Sequence, residues 1–302
     1  MTTNTTRSYD AIIIGGSYSG MSAALALGRA RRSVLIIDAN EPCNARVPHT
    51  HNLLTHDGEP PHVLRAKARA DVANYPTIQF HDGLAVAARG SNGAFFVQTN
   101  NGEEHQGRKL VLALGVRDEL PAITGLADCW GISAAACPFC HGYEVRDKHI
   151  AIIGNTTETL DYAHLIHNWS DDLTVLTNGP SLLDGTKLNT LGSKGIKLVH
   201  EGITEVLHDN GQVKAVVFAD GRSQDVDTLF LRSRTSLPGD LTTHLAVERT
   251  ELDLIKVDFM QRTNVPGVYA CGDCTTPMRS LSTAIASGTM AGASIVHELI
   301  HA

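Results

Sequence analysis

Tyr9-Asp10-Ala11-Ile12-Ile13-Ile14-Gly15-Gly16-Ser17-Tyr18-Ser19-Gly20 is the stretch that decides the fold of this 302-residue chain. Its apolar run suits a strand buried in a parallel sheet, because such strands are covered on both faces. The glycines supply a tight turn, and Met21 to Leu27 is rich in helix formers. Strand, turn and helix in that order form the phosphate-binding unit of a dinucleotide fold. The pattern is G-x-S-x-x-G, with Ser17 in place of the middle glycine, and serine is small enough for the backbone to approach a pyrophosphate. A second strand, Val34 to Ile37, ends in Asp38 and Ala39, where an acid can accept hydrogen bonds from an adenosine ribose. Taken alone, such a turn also fits an ordinary strand-helix junction.

A distant second element narrows the choice. Gly267-Val268-Tyr269-Ala270-Cys271-Gly272-Asp273 reads as a strand ending in Gly-Asp. It is followed by a small-residue run from Ala284 to Gly288, preceded by Ser282 and Thr283. Close backbone approach, one carboxylate and a helix N-terminus suit the ribityl chain and ring of a flavin. Between the two elements lies Cys137-Pro138-Phe139-Cys140-His141. A closely spaced dithiol next to a residue that titrates near neutrality is suited to thiol-disulfide exchange.

These motifs, with Ala113-Leu114-Gly115 between the first and the CxxC, stand in the order found in low-molecular-weight thioredoxin reductases, and the chain resembles that family over nearly its whole length. The resemblance implies an α/β fold of two Rossmann-like, three-layer ββα nucleotide-binding domains. It implies a discontinuous FAD domain, residues 1–117 and 242–302, and an inserted domain, residues 118–241, that carries the CxxC. Gly15, Gly16, Ser17, Ser19, Gly20, Asp38, Ala39, Asn44, Asn52, Ala113, Gly115, Gly272, Asp273, Ser282, Thr283 and Ala284 are the FAD-binding positions it implies. By the same resemblance Cys137 is the thiol that exchanges with substrate, Cys140 lies next to the flavin, and two copies form a homodimer.

The inserted domain departs from the reductases. Its strand, His149 to Ile153, leads into Gly154-Asn155-Thr156-Thr157-Glu158-Thr159, which lacks further glycines and places an acid near the helix start. An acid there repels a pyrophosphate. The next strand ends in Thr177-Asn178-Gly179-Pro180, where NADPH-dependent members place an arginine pair. The chain is therefore expected to lack a working nicotinamide site. Members without that site include the dithiol oxidases that close disulfides in gliotoxin and holomycin. Cys140-His141-Gly142-Tyr143-Glu144 resembles their C-H-G-Y-E signature. So do Asn44-Ala45, His49 to Asn52, Asp57-Gly58 and the run Leu64 to Arg69, although the usual arginine before Asn44 is Cys43.

The expected activity is oxidation of a small dithiol by exchange with Cys137-Cys140, with His141 moving protons, FAD receiving electrons and O2 reoxidising it to H2O2. One alternative is a disulfide reductase fed by ferredoxin or another donor other than NADPH, docked on Arg65, Lys67 and Arg69. Another is a non-catalytic redox sensor, which would need no base beside its cysteines. Cys271 and Cys274 form a second CxxC, so a four-cysteine zinc site competes, but it would consume the redox thiols and displace a flavin role. Cys129 and Cys274 are expected to be inert. The histidines at 49, 51, 56 and 62 sit in an irregular stretch with no helix to fix them as metal ligands, so no metal is expected. His141 could also simply pack beside the disulfide.

With 42% hydrophobic residues the chain is long enough for two cores. Its net charge of −7, without a basic stripe, argues against nucleic acid and anionic membrane as partners. No apolar run approaches membrane-spanning length, and polar Met1 to Arg7 has no signal-peptide core behind it. A cytoplasmic enzyme is the expectation, and there a CxxC is more often catalytic than structural.

Overall fold

The computed structural model describes residues 8–182 and 190–301; the polar stretch 1–7 lies outside them. The chain divides into two compact units, the first Met1–Cys43, His62–Arg117 and Thr235–Ala302, the second Asn44–Pro61 and Asp118–Arg234.

In the first unit, β1 (Ser8–Ile14), β2 (Val34–Asp38) and β3 (Ile78–Asp82) pair in parallel. On the other side of β1 lies β6 (Glu104–Leu112), also parallel. The far edge of β6 serves two partners. Its first half continues the antiparallel meander of β4 (Ala85–Ser91) and β5 (Ala94–Thr99), and its last three residues pair in parallel with β17 (Val268–Ala270).

Alternation along β1 sorts the core into two layers, because successive side chains leave a strand on opposite faces. Ala11 and Ile13 pack with Met21, Ala24 and Leu27 of α1 (Tyr18–Arg29) and with Ala291 and Ile295 of the C-terminal helix Leu281–His301. Ile12 and Ile14 pack with Phe95 and Val97 of the meander. Ile12 and Ile13 are fully buried, each contributing roughly 1.5–3 kcal/mol by leaving water. The parallel part of this seven-stranded sheet, its antiparallel meander and a helical layer thus give the three-layer ββα arrangement.

The second unit repeats it. β8 (Ala134–Ala135), β15 (Thr228–Leu231), β9 (Ile150–Ile153), β10 (Leu173–Leu176) and β11 (Lys197–Val199) form a parallel sheet. Ile150 and Ile152 pack on Leu160, Ala163 and Ile166 of α5 (Thr157–Ile166). Ala151 and Ile153 pack on Val206, Val213, Val216 and Phe218 of an antiparallel sheet. That sheet comprises β12 (Ile203–Asp209), β13 (Gln212–Phe218) and β14 (Ser223–Asp225). In the sequence, Leu198 to Phe230 reads as short strands with turns at Asp209-Asn210-Gly211 and Asp220-Gly221, a small antiparallel excursion; the antiparallel part is narrower, because β11 and β15, at its two ends, belong to the parallel sheet. β7 (Arg117–Glu119) and β16 (Arg234–Ser236) pair as a separate ribbon.

Two boundaries differ from the division read in the sequence. Residues 44–61 group with the second unit, where Arg46 donates to the carbonyls of Ala127 and Asp128 and His51 reaches Glu144. The return comes at 234/235 rather than 241/242, because Leu237 and Leu241 are already part of the first unit's core.

Candidate functional site

The first unit gathers most of the expected cofactor positions around the ends of β1, β6 and β17. Gly15 has φ +108°, and a Cβ there would lie 2.1 Å from the Ala113 carbonyl oxygen. A Cβ on Gly20 would lie 1.8 Å from the Gly15 carbonyl oxygen. The turn can close only with glycine at both positions. Ser17 is the N-cap of α1, yet its side chain makes no capping bond, and the first turn carries no acid. N–H groups at an uncapped helix start, with the positive end of the dipole, suit a pyrophosphate. Gly16 donates its N–H to Asp38 Oδ1 at 3.0 Å, fixing the carboxylate at the end of β2. Ala39 follows Asp38, and Gly115 (φ +64°) ends the turn after β6.

Around β17, Gly272 (φ +82°) leaves room for Ser19, whose Oγ would lie 2.5 Å from an added Cβ. Its N–H donates to Ser287 Oγ at 3.0 Å. Asp273 pairs with Arg279 at 3.5 Å. Ser280 Oγ accepts the Thr283 N–H at 3.1 Å at the start of the helix that carries Ser282, Thr283 and Ala284. Fourteen of the sixteen expected positions thus lie in this unit; Asn44 and Asn52 belong to the other. Asn52 is exposed, with φ +61°, and its N–H is held by Asp57 Oδ1 at 2.7 Å. The glycine cradle, the uncapped helix start and the placed carboxylate together fit a dinucleotide.

Sequence reasoning missed the part taken by Arg65. On α2 (Pro61–Ala73) it bonds Asp38 through Nη2 and Asn40 through Nη1. Arg69 of the same helix stacks on Phe80, 3.9 Å from the ring centroid, and lies 3.7 Å from Asp82. Two of the three cations proposed as a ferredoxin patch are thus engaged with their own unit. The only signal in the sequence was the i, i+4 spacing of Arg65 and Arg69.

In the second unit Cys137 and Cys140 form a disulfide with Cα atoms 5.3 Å apart. Cys137 is the N-cap of the one-turn α4 (Pro138–His141), which follows the one-turn α3 (Leu126–Cys129), and the Cys140 N–H donates to the Cys137 carbonyl. Tyr162 Oη fixes the preceding loop by donating to the Ala136 carbonyl at 2.7 Å. Gly142 closes the turn against Trp169, where a Cβ would lie 2.9 Å from the ring. Phe139 is 61% exposed and meets Trp169 edge to face, and Tyr143 is 66% exposed.

His141 follows the disulfide, and burial lowers its pKa, with Glu144 opposing that shift and His51 reinforcing it. His51 Nε2 lies 3.4 Å from Glu144 Oε1, and its Nδ1 lies 3.6 Å from Asp57 Oδ2. A neutral imidazole that can accept a proton is therefore flanked by a carboxylate, a second histidine and a second carboxylate. The C-H-G-Y-E run carried Glu144 and the stretch His49 to Asn52 carried His51, but nothing in the sequence paired the two.

The turn after β9 has a different character from the one after β1. Thr159 Oγ1 accepts the Thr156 N–H at 3.1 Å and lies 2.6 Å from where a Gly154 Cβ would be. Glu158 stands in the first turn of α5. Asn155 donates to the Pro180 carbonyl at 2.9 Å, and Asn178 Oδ1 accepts from the Ile203 N–H.

Cys129, Cys271 and Cys274 are buried free thiols. Burial pushes the Cys274 thiol up to about 12 and raises Cys271 further, which leaves both protonated and unreactive. His49 Nδ1 lies 3.0 Å from the Gly58 carbonyl oxygen and His56 Nδ1 3.2 Å from Glu59, so these rings serve the loop's own contacts. No described helix is long and apolar enough to cross a membrane.

Comparison with known proteins agrees with this geometry. Residues 9–288 match the family model described as pyridine nucleotide-disulphide oxidoreductase. A curated relative, thioredoxin reductase sirT of Leptosphaeria maculans, is 30% identical, the match covering 95% of this chain and 93% of the relative. An oxidoreductase from Agrobacterium tumefaciens superposes with a TM-score of 0.92 at 36% identity, covering 98% of this chain and 99% of its own. The crystal structure of HlmI gives a TM-score of 0.91 at 31% identity, covering 97% and 93%.

Proposed function

Because this chain belongs to the pyridine nucleotide-disulphide oxidoreductase family and is a flavin-dependent thiol-disulfide oxidoreductase, we propose that it works as an oxidase of small dithiols. The observation that carries this reading is the contrast between its two nucleotide-type turns. The turn at Gly15–Gly20 leaves a helix start uncapped and free of acids, whereas that at Gly154–Thr159 spends an N–H on Thr159 and sets Glu158 against a pyrophosphate. A chain that holds FAD but receives no hydride from nicotinamide draws its electrons from another donor, and the Cys137–Cys140 disulfide offers substrate thiols as that donor. The similarity to HlmI and the C-H-G-Y-E run point the same way.

A substrate thiolate attacks Cys137 Sγ, the Cys137–Cys140 bond breaks, and Cys140 leaves as the thiolate. Neutral His141 takes the proton of the entering thiol. The second substrate thiol then attacks the mixed disulfide, releasing the cyclic or intramolecular disulfide product and leaving both enzyme cysteines reduced. Glu144 stabilises the imidazolium formed at His141, and His51 with Asp57 extends the path for its proton. Gly15, Gly16, Ser17, Gly20 and Asp38 would hold the pyrophosphate and ribose of FAD, and Gly272 and the start of the C-terminal helix would meet its flavin end. Bound there, FAD supplies a two-electron sink for the enzyme dithiol and an outlet to O2. The sum is R(SH)2 + O2 giving RS2 + H2O2.

Exposed Phe139 and Tyr143 beside the disulfide supply apolar area for the substrate body. The ferredoxin-fed reductase has less to draw on, since Arg65 is committed to Asp38 and Asn40. In air and without nicotinamide, the enzyme given dithiothreitol is expected to produce one peroxide per disulfide formed. Dithiol oxidation without peroxide, or turnover only when NADPH is added, would overturn the oxidase reading.

A further inference from the structure

Two histidines outside the redox chemistry face one carboxylate in the first unit. His81 lies on β3, His105 on β6, and Glu103 in the turn that joins β5 to β6. His81 Nδ1 is 3.6 Å and His105 Nε2 3.7 Å from Glu103 Oε2, and the rings stand edge to face with centroids 4.7 Å apart. One ligand atom from each residue falls within 4.8 Å of the others. Both separations exceed hydrogen-bond range, so the three groups converge without bonding one another. The His105 Nε2 that faces Glu103 is buried and, among the described residues, lacks a hydrogen-bond partner. Orphaned buried ring nitrogens are costly to leave unsatisfied.

We propose that His81, Glu103 and His105 form a binding site for a divalent transition metal of the zinc type. Two imidazoles and a carboxylate are the donor set of three-ligand zinc sites, with water in the fourth position. With metal–ligand bonds of about 2.0–2.1 Å, tetrahedral ligand atoms stand roughly 3.3 Å apart. The separations from Glu103 Oε2, 3.6 and 3.7 Å, close by a small inward movement of its 57% exposed side chain, and the two ring nitrogens, within 4.8 Å of each other, close by turning about their side-chain bonds. The bound ion would tie the β5–β6 turn to the end of β3. That end is itself anchored to the cofactor strand, since the Gly83 N–H donates to the Asp38 carbonyl at 2.9 Å. The four histidines first considered from the sequence do not form this site; the fold builds it from two that are 24 positions apart in sequence.

The test is calorimetric titration of Zn2+ into the oxidised holoenzyme, its Cys137–Cys140 disulfide intact, in a Cys43→Ser background that removes the exposed thiol. One ion per chain is expected, with affinity falling at least tenfold in His81→Ala and in His105→Ala and by less in Glu103→Gln. Flavin absorbance confirms that each variant is folded, and His105→Gln, which keeps ring-sized polar bulk, should lose zinc as His105→Ala does. Zn2+ should also raise the melting temperature of the parent and not of the histidine variants. Absence of binding, or binding of equal strength in all variants, would refute the site.

Discussion

At the scale of single residues, the roles of Cys140, His141 and their neighbours can be separated. Cys140→Ser is expected to keep its flavin but to lose reduction by dithiols on the order of a thousandfold or more, read by stopped-flow absorbance without oxygen; near-normal bleaching would remove Cys140 from the electron path. His141→Ala should slow the same step by about 10²- to 10⁴-fold. Because burial holds the His141 pKa below its ordinary value of 6.5, its base form persists into mild acid, and the acidic limb of the reductive rate should fall below that value. Glu144 opposes the shift and His51 reinforces it, so Glu144→Gln should move the limb to lower pH and His51→Ala to higher pH. Shifts in the same direction would contradict an electrostatic role for the pair. The sequence revealed the two cysteines and His141 by adjacency alone. It did not reveal that His51 meets Glu144, because positions 51 and 144 share no period that would bring them together.

At the scale of elements, the seam between α1 and the C-terminal helix matters most. A Cβ on Gly288 would lie 2.1 Å from the Ser19 carbonyl oxygen, so Gly288→Ala forces apart the two helices that carry the cofactor turn. It should cost about 1–3 kcal/mol in urea unfolding and weaken flavin retention. Gly192→Ala meets nothing within 4 Å among the described residues and should change stability by less than about 0.5 kcal/mol. A neutral Gly288→Ala would mean that this packing is looser than its geometry. The strands β1, β2, β9 and β10 were legible because buried parallel strands are continuous apolar runs. The ends of the antiparallel excursion were not, since β11 and β15 are short apolar segments that suit either kind of sheet.

For the whole molecule, two ββα units in one chain could be read from motif order, but their boundaries could not. Residues 44–61 look like a loop of the cofactor unit and group instead with the unit that bears the disulfide, through Arg46 and His51. Contacts of that kind join distant positions through single side chains and leave no trace in composition. The zinc-type site escaped for the same reason. What the whole chain does rests on where its electrons come from. The deciding measurement is the flavin absorbance of the purified holoenzyme under anaerobic conditions, with NADPH or NADH in one cell and dithiothreitol in another. Bleaching by the dithiol alone, reversed by air with release of peroxide, is the predicted result; rapid bleaching by a nicotinamide would contradict the account and make the protein a reductase.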